Sequence, residues 1–585
     1  MRPRGFHRAS IAAVFAMAAT LSAARADEPK GTRWVGQEAL VYAESNRPEA
    51  LLDRLMSDRV NTLLKAVPSY KAALAKPEIV GARFIAGLVA ANLGTTPEKG
   101  ARDLAGGGLV FAVEGAKTPD RVFLVVTPKD VALLEKTHAR LLEFARNDAK
   151  TKKMPDPVKE AGYRGINIYS LAPGEAHAIV AGALVVANGP ATLKIVIDRS
   201  LDPKTPTLAD DPTFQARRRE ADPEALAWGF ARMDKLRAID PKKYGGAKAD
   251  PGVTFLFGPW LEAIQKGDTV SASLAWTDAR LAAQVVLAEP KGGYTPAMKR
   301  YFPPKGTAAR KPIHTPSTIG SSSLWRDFSS IWEARAEILP PETVQGLAQL
   351  DSTAGTFFGG RDFGTGVLGA IGENWTFVVA DQDYDKMDPA PDVKLPAFAF
   401  VIDLKPDDEE FATRLMAAFQ SFIGLANLGS AQTKAPPLMI SSDTFEGTVI
   451  ATSKYEREIG RPKGEPINIR HNFTPSAARV GNTFILSSSL GLARELVTEV
   501  KKTPLPADAM FVTEADGPAA ARLVDRNRSY LVTQNMLSKG NAKAQAEGEI
   551  GLMVEALKYL GHATMSVAER PGSLLLKIEY ALDYK

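Results

Sequence analysis

Cysteine is absent from all 585 residues. That excludes a disulfide framework, a lipid-modified N-terminal cysteine and any zinc site built on thiolates. Histidine is scarce: there are six, none four positions from another, and no HExxH pair occurs. A zinc site would then need distant histidines and carboxylates. No G-x-S-x-G elbow surrounds a serine, and no S-x-x-K stands with its partner motifs. Beyond the first 30 residues no stretch reaches the ~18 uninterrupted apolar residues of a membrane helix. Charge of one sign is missing too, since 72 Lys and Arg face 67 Asp and Glu.

What is present begins with a leader. MRPRGFHRAS is basic, IAAVFAMAATLSAA is apolar and short, and Ala24-Arg25-Ala26 offers small residues for cleavage. The expectation is a secretory signal peptide over 1–26, cut after Ala26, and a mature chain that is periplasmic or secreted. Arg2, Arg4, Arg8 and Arg25 leave with it, and no acid does, so four of the five net positive charges are lost. Net charge then gives no support to a nucleic-acid partner or an anionic lipid surface. With 45% hydrophobic residues the remainder can bury large cores and predicts roughly two to four domains.

The stretch Asp103–Ala145 shows how those cores are built. Leu109, Phe111 and Val113 alternate as a half-buried strand requires, and Val122–Val126 is a continuous apolar run. Gly115, Pro119 and Asp120 supply turn chemistry between them. Asp130 can cap a helix whose Leu133, Leu134, Leu141, Leu142 and Ala145 share one face. A hairpin feeding an amphipathic helix is the logic of an α+β layer. The order recurs later. Phe377–Val379 and Phe398–Ile402 are strands, Asp407-Asp408-Glu409-Glu410 is an acidic helix start, and an apolar helix follows. Arg479–Leu486 resembles His177–Ala187, and Leu490–Val500 resembles the helix from Ala191. Ala509–Glu514 resembles Ala225–Met233, and both halves close on a hairpin. The fold class expected is therefore α+β, two related modules, each a mainly antiparallel sheet packed with helices. The expected boundaries are 27–290 for module 1, 291–323 for a Pro-, Gly- and Ser-rich linker, and 324–585 for module 2.

These landmarks also carry a resemblance. EALVYAESNRPEALLDRL, TLADDPTFQARRR and FGTGVLGAIGENWTFVV are similar to segments of exported bacterial proteins grouped as domain of unknown function 3352. The second module departs from them, with EVKKTPLPADAMF where a Leu-Ala…Phe segment would stand. The resemblance implies export and architecture, and no activity.

Candidate chemistry has bland readings throughout. Gly364-Thr365-Gly366-Val367-Leu368-Gly369 matches G-x-G-x-x-G, but a strand follows it where a helix should open, so it reads as a turn. Gly106-Gly107-Gly108 occupies the corresponding place in the first module. Ser321–Ser323 lacks a nucleophile motif, and Ser487–Ser489 reads as a polar cap. Asp210-Asp211, Asp407-Asp408 and Glu409-Glu410 read as helix caps rather than acid–base pairs. Arg217–Arg219 and Lys501-Lys502 read as solvated faces. Trp325, Phe328 and Trp332 read as a helical stripe facing a core. No catalytic residue, cofactor site or metal site is assigned, and the expectation is a chain that is not an enzyme. It is expected to be a non-catalytic envelope scaffold or protein-interaction protein, its partner unknown. The alternative expected is a small-molecule or lipid-binding protein using a cleft between the modules.

Overall fold

Alternation and turn chemistry act first, and the hairpin they build recurs throughout the structure. A computed structural model describes residues 31–66, 94–116, 118–245, 250–406, 408–432, 436–455 and 468–582, with a few single positions between 70 and 91. The leader, most of a helix expected over Ile79–Leu93, and Asp407 lie outside the described residues. Contacts divide the chain into two units: Met1–Gly246 with Gln265–Lys291, and Ala247–Ile264 with Gly292–Lys585.

The first unit holds ten strands: β1 (Ala39–Ser45), β2 (Gly108–Glu114), β3 (Arg121–Thr127), β4 (Lys159–Tyr163), β5 (Ile166–Ser170), β6 (Ala176–Val180), β7 (Ala183–Ala187), β8 (Ala225–Arg232), β9 (Thr269–Trp276) and β10 (Arg280–Ala288). Every pairing is antiparallel, in the order β4-β5-β6-β7-β3-β2-β1-β8-β9-β10. The second unit holds β11 (Thr318–Trp325), β12 (Ile371–Ala380), β13 (Ala397–Leu404), β14 (Leu438–Phe445), β15 (Thr448–Tyr455), β16 (Ser476–Val480), β17 (Thr483–Ser487), β18 (Phe511–Asp516), β19 (His562–Arg570) and β20 (Ser573–Ala581). Its order is β14-β15-β16-β17-β13-β12-β11-β18-β19-β20, again antiparallel throughout. The two sheets have one topology, strand for strand. Phe111 stands opposite Leu124 as Phe377 stands opposite Phe400.

Helices fall at matching points. Val131–Thr151 follows β3, and Glu409–Gln432 follows β13. Asp130 caps the first, accepting the Leu133 amide at 2.9 Å. Asp408 serves the second, accepting the Phe411 amide at 2.9 Å. Pro190–Leu201 follows β7 as Leu490–Val500 follows β17. In the second unit each sheet face has its own core. Leu492, Leu496 and Val497 pack on Val378, Val401 and Ile485. Phe411, Phe419 and Ile423 cover Leu438, Ala477 and Phe484. The first unit centres on Tyr42, Phe214, Trp228 and Phe230, whose rings meet mostly edge to face.

The expected linker is not one. Residues 292–323 belong to the second unit, and β11 lies at the middle of its sheet, between β12 and β18. Small side chains suit that crowded position: Ser321 and Ser323 are buried, and the Ser323 and Thr376 hydroxyls lie 3.0 Å apart. The Ala309 amide bonds the Ala509 carbonyl at 3.0 Å, so the preceding Pro-rich stretch is tied down as well. Residues 247–264, expected in the first module, also belong to the second unit. Phe255 there stacks on Phe328 and meets Trp332, and the buried Tyr301 hydroxyl donates to the Phe255 carbonyl at 2.9 Å. Chain order alone could not show that exchange. Trp325 ends β11 rather than joining a helical stripe, while Phe328 and Trp332 lie on the Phe328–Glu333 helix in the core. The hairpin strand β4 has no expected counterpart: Lys159, Glu160, Ala161 and Gly162 are all exposed, so no buried face marks it along the chain. No helix among the described residues is long and apolar enough to cross a membrane.

Candidate functional site

Antiparallel register brings particular chain segments to one end of the second sheet. Thr318 pairs with Ala380 and Ala380 with Ala397, so the start of β11, the end of β12 and the start of β13 coincide. Ala399 pairs with Ser487 and Ser487 with Ser476, which adds the end of β17 and the start of β16. Gly320 pairs with Ala515, which brings in the helix Gly517–Arg526. At this end two connections of the second unit are longer than their first-unit counterparts. β12 and β13 are joined by the 16 residues 381–396, where β2 and β3 are joined by the six residues 115–120. β15 and β16 are joined by the 20 residues 456–475, where β5 and β6 need only the five residues 171–175.

Between these long connections lies a cleft of about 940 Å³. Asn472, 1% exposed, holds its walls together. Its side-chain amide donates to the Val393 and Ile469 carbonyls at 2.9 and 2.8 Å and accepts the Leu395 amide at 2.9 Å. Gln382 donates to the Leu395 carbonyl at 2.9 Å and the Asn472 carbonyl at 3.1 Å. The Tyr384 hydroxyl donates to the Leu395 carbonyl at 2.8 Å. Burial, then the nearby Asp381, push that phenol well above its ordinary range, so it stays a donor. Asn527 fastens the same wall to the helix beyond, exchanging two 2.8 Å bonds with Lys394.

The charged groups are largely committed. Asp381 pairs with Arg526 at 2.5 Å, whose guanidinium lies over the Tyr384 ring at 5.6 Å. Lys386 pairs with Asp383 at 2.6 Å, Arg494 with Asp443 at 2.8 Å, and Ser317 donates to Glu495 at 2.6 Å. Six Lys and Arg and five Asp and Glu line the cleft, so neither sign dominates. Phe473, on the wall, meets Phe398 at 6.1 Å. Phe398 and Phe400, 42% and 46% exposed, continue with Phe377 as an aromatic patch on the adjoining sheet face.

Of the residues singled out in the sequence, only Ser489 among the serines lines this cleft. It caps Leu490–Val500, accepting the Leu492 amide at 3.3 Å. The Ser487 hydroxyl donates to the Ser489 carbonyl, and the Ser488 hydroxyl accepts the Phe398 amide at 2.8 Å. Ser321 and Ser323 are strand residues. Gly364–Gly369 forms helical turns that run into β12, with Gly364 packed under Trp332. Asp211 caps Pro212–Arg219, accepting the Phe214 amide at 2.8 Å, and Asp210 completes a capping box with Thr207. Glu409 and Glu410 pair with Arg479 and Arg414. Lys501 and Lys502 pair with Glu446 and Glu499 on the surface. Arg218 departs from the expected solvated face and turns inward to the buried Glu44 at 2.9 Å.

The structure brings histidines together that the sequence shows as scattered. His314 and His562 flank Glu514 in the second unit at 2.7 and 3.5 Å. In the first, His138 and His177 lie 5.1 Å apart beside Tyr169, with His177 bound to Glu175 at 2.5 Å. Among the described residues no group of three His, Cys, Asp or Glu is placed to hold a metal ion. Burial, then repulsion from His177, lower His138 from 6.5 to about 4. Its folded form therefore resists protonation. The first unit's stability should be full above about pH 6.5 and fall as pH drops from there toward about 4. A His138→Gln variant, unfolded in denaturant across that range, should show a shallower loss.

No family model matches the chain, and no curated protein matches it. Among solved structures, crystal forms I and III of TP0453 are 13% and 14% identical to it, each match covering 47% of this chain and 84% of that one at a TM-score of 0.25. Crystal form IV matches at 13% identity over 45% of this chain and 80% of that one, with the same TM-score. Likeness this weak identifies neither fold nor activity.

Proposed function

We propose that the chain is an exported, non-catalytic binding protein that holds a peptide-like ligand in the cleft of its second unit. One observation carries the reading: at this sheet end the second unit's connections 381–396 and 456–475 are both longer than their first-unit counterparts, 16 residues against six and 20 against five. In a duplicated fold, long connections at a single sheet end are added structure, and loops positioned by a rigid sheet are where recognition is built. Balanced charge, the amides of Gln382 and Asn472, and the rings of Tyr384, Tyr455 and Phe473 suit a polar ligand of small net charge. The neighbouring Phe398 patch suits an apolar group on it. A catalytic role is disfavoured because most of the cleft's acids and serines are spent on caps and ion pairs. The scaffold reading draws on the same surface, with a partner protein's segment as the ligand.

Native mass spectrometry of the mature chain from its own envelope should show a mass excess that leaves on denaturation. The denatured mass should correspond to a chain starting at Asp27. Gly491 lines the cleft, and a Cβ there would meet only the Ser489 hydroxyl, at 3.6 Å. Gly491→Trp should therefore fold, fill the cleft and abolish the excess. A bare wild-type chain, or a ligand retained in that variant, would count against the site.

A further inference from the structure

β14 is an edge strand with an undefended edge. Among the described residues it pairs only with β15, and Met439, Ile440, Ser441 and Ser442 are exposed. Asp443 is its one charged residue, and Arg494 neutralises it through bonds of 2.8 and 2.9 Å. Native sheets usually blunt such edges with charge, proline or shortness. The matching edge of the first unit follows that habit: β4 is five residues against eight, with Lys159 and Glu160 along it.

The direction of the free backbone groups follows from two facts. β14 and β15 join through the two-residue turn Glu446-Gly447, with φ of 45° and 76°, so Phe445 and Thr448 face each other in hydrogen-bonded register. The N–H and C=O of Phe445, Asp443, Ser441 and Met439 thus point toward β15, and those of Thr444, Ser442, Ile440 and Leu438 point away. Leu438 confirms the assignment. Its amide donates to the Asn427 side chain at 2.7 Å, and its carbonyl accepts from that side chain at 2.9 Å. Asn427 thereby acts as a neighbouring strand would, and among the described residues no strand meets the outward groups of Ile440, Ser442 and Thr444. Leu428, next to Asn427 on the helix, is 65% exposed beside this edge.

We infer that this edge pairs with the same edge of a second copy of the chain, antiparallel about a twofold axis through Ser442. The sequence LMISSDTF is self-complementary in that register. Ile440 falls opposite Thr444, Met439 opposite Phe445 and Ser441 opposite Asp443, each pair occurring twice. No like charges meet, and apolar–aromatic and hydroxyl–carboxylate pairs of this kind favour a sheet. An isologous contact of this form closes at two chains.

The cysteine-free chain makes the register testable. Ser442→Cys would place two thiols on residues about 5.5 Å apart at Cα, within disulfide reach. Mild oxidation of the full mature chain should give a covalent dimer that dithiothreitol dissolves. Ser442→Pro removes only an outward N–H, which an edge strand tolerates. In sedimentation equilibrium it should weaken wild-type self-association at least about tenfold with an unchanged circular dichroism spectrum. Ser442→Lys should do the same by charge, should the proline variant not fold. Three results would overturn the inference. The first is a wild-type chain monomeric across the dilution series. The second is dimerisation untouched by the Pro or Lys variant. The third is a dimer that forms without Ser442→Cys cross-linking, which would mean another surface or an extended segment of a different protein.

Discussion

Asn472→Ala is expected to collapse the cleft while leaving the second sheet intact. The substitution removes three hydrogen bonds and leaves the Leu395 amide and the Val393 and Ile469 carbonyls without their partner. Orphaned groups of this kind cost roughly 1–3 kcal/mol each where they stay dry, and less where water reaches them, so a loss of about 3 kcal/mol is expected. The loss should be local. Hydrogen exchange should rise in residues 381–396 and 468–475, while β12, β13 and β17 stay protected. Any ligand seen by native mass spectrometry should disappear with it. Loss of protection throughout the sheet would show instead that the loop wall supports the fold.

Glu114→Ala should have a comparable effect on the first unit. Glu114 is 1% exposed and accepts from the Gly36 amide at 2.7 Å and from Arg199 at 2.6 Å. Arg199 also reaches Glu38 at 2.9 Å and the Trp34 carbonyl at 3.3 Å, and Arg121 binds Glu38 at 2.9 Å. Truncation leaves the Gly36 amide without its acceptor and Arg199 with Glu38 as its remaining carboxylate partner, so the loss should fall at the low end of that for a broken buried pair, about 3 kcal/mol. Replacing both, as Glu114→Leu with Arg199→Met, should recover much of that, because the desolvation cost goes with the charges. The denaturant midpoint of the first unit's transition measures each variant. A double variant no better than Glu114→Ala would mean that the network's geometry is itself essential.

Much of the architecture was legible along the chain. The hairpin–helix unit at Asp103–Ala145, its second copy from Val367, the Asp130 and Asp211 caps and the Leu490–Val500 helix all follow from near-neighbour rules. Alternation sets a strand's face, a carboxylate answers the free amides of the next turn, and apolar spacing sets a helix's buried stripe. The same rules failed at β11. Its serines and glycine read as linker because composition does not report crowding, and crowding between two strands is what selects small side chains there. They failed also at Arg218, whose partner Glu44 is far away in sequence.

The cleft was scarcely visible. Ser489 was noticed, but as a cap. Asn472, Gln382, Tyr384 and Arg526 carry no motif, because they act through backbone groups and partners brought close only by register. One signal was available: aligning the two copies would have exposed the long connections 381–396 and 456–475 against their short counterparts.

What the sequence by itself determined is the element type, the recurring hairpin–helix order and the caps, because each depends on residues within a few positions of one another. The tertiary structure alone decided which segments share a sheet end, that residues 247–264 join the second unit, and that β14 pairs, among the described residues, with β15 alone. Those outcomes depend on strand order and register, in which residues far apart in the chain become neighbours. No local pattern encodes such a meeting, since its free energy arises only once both partners are in place.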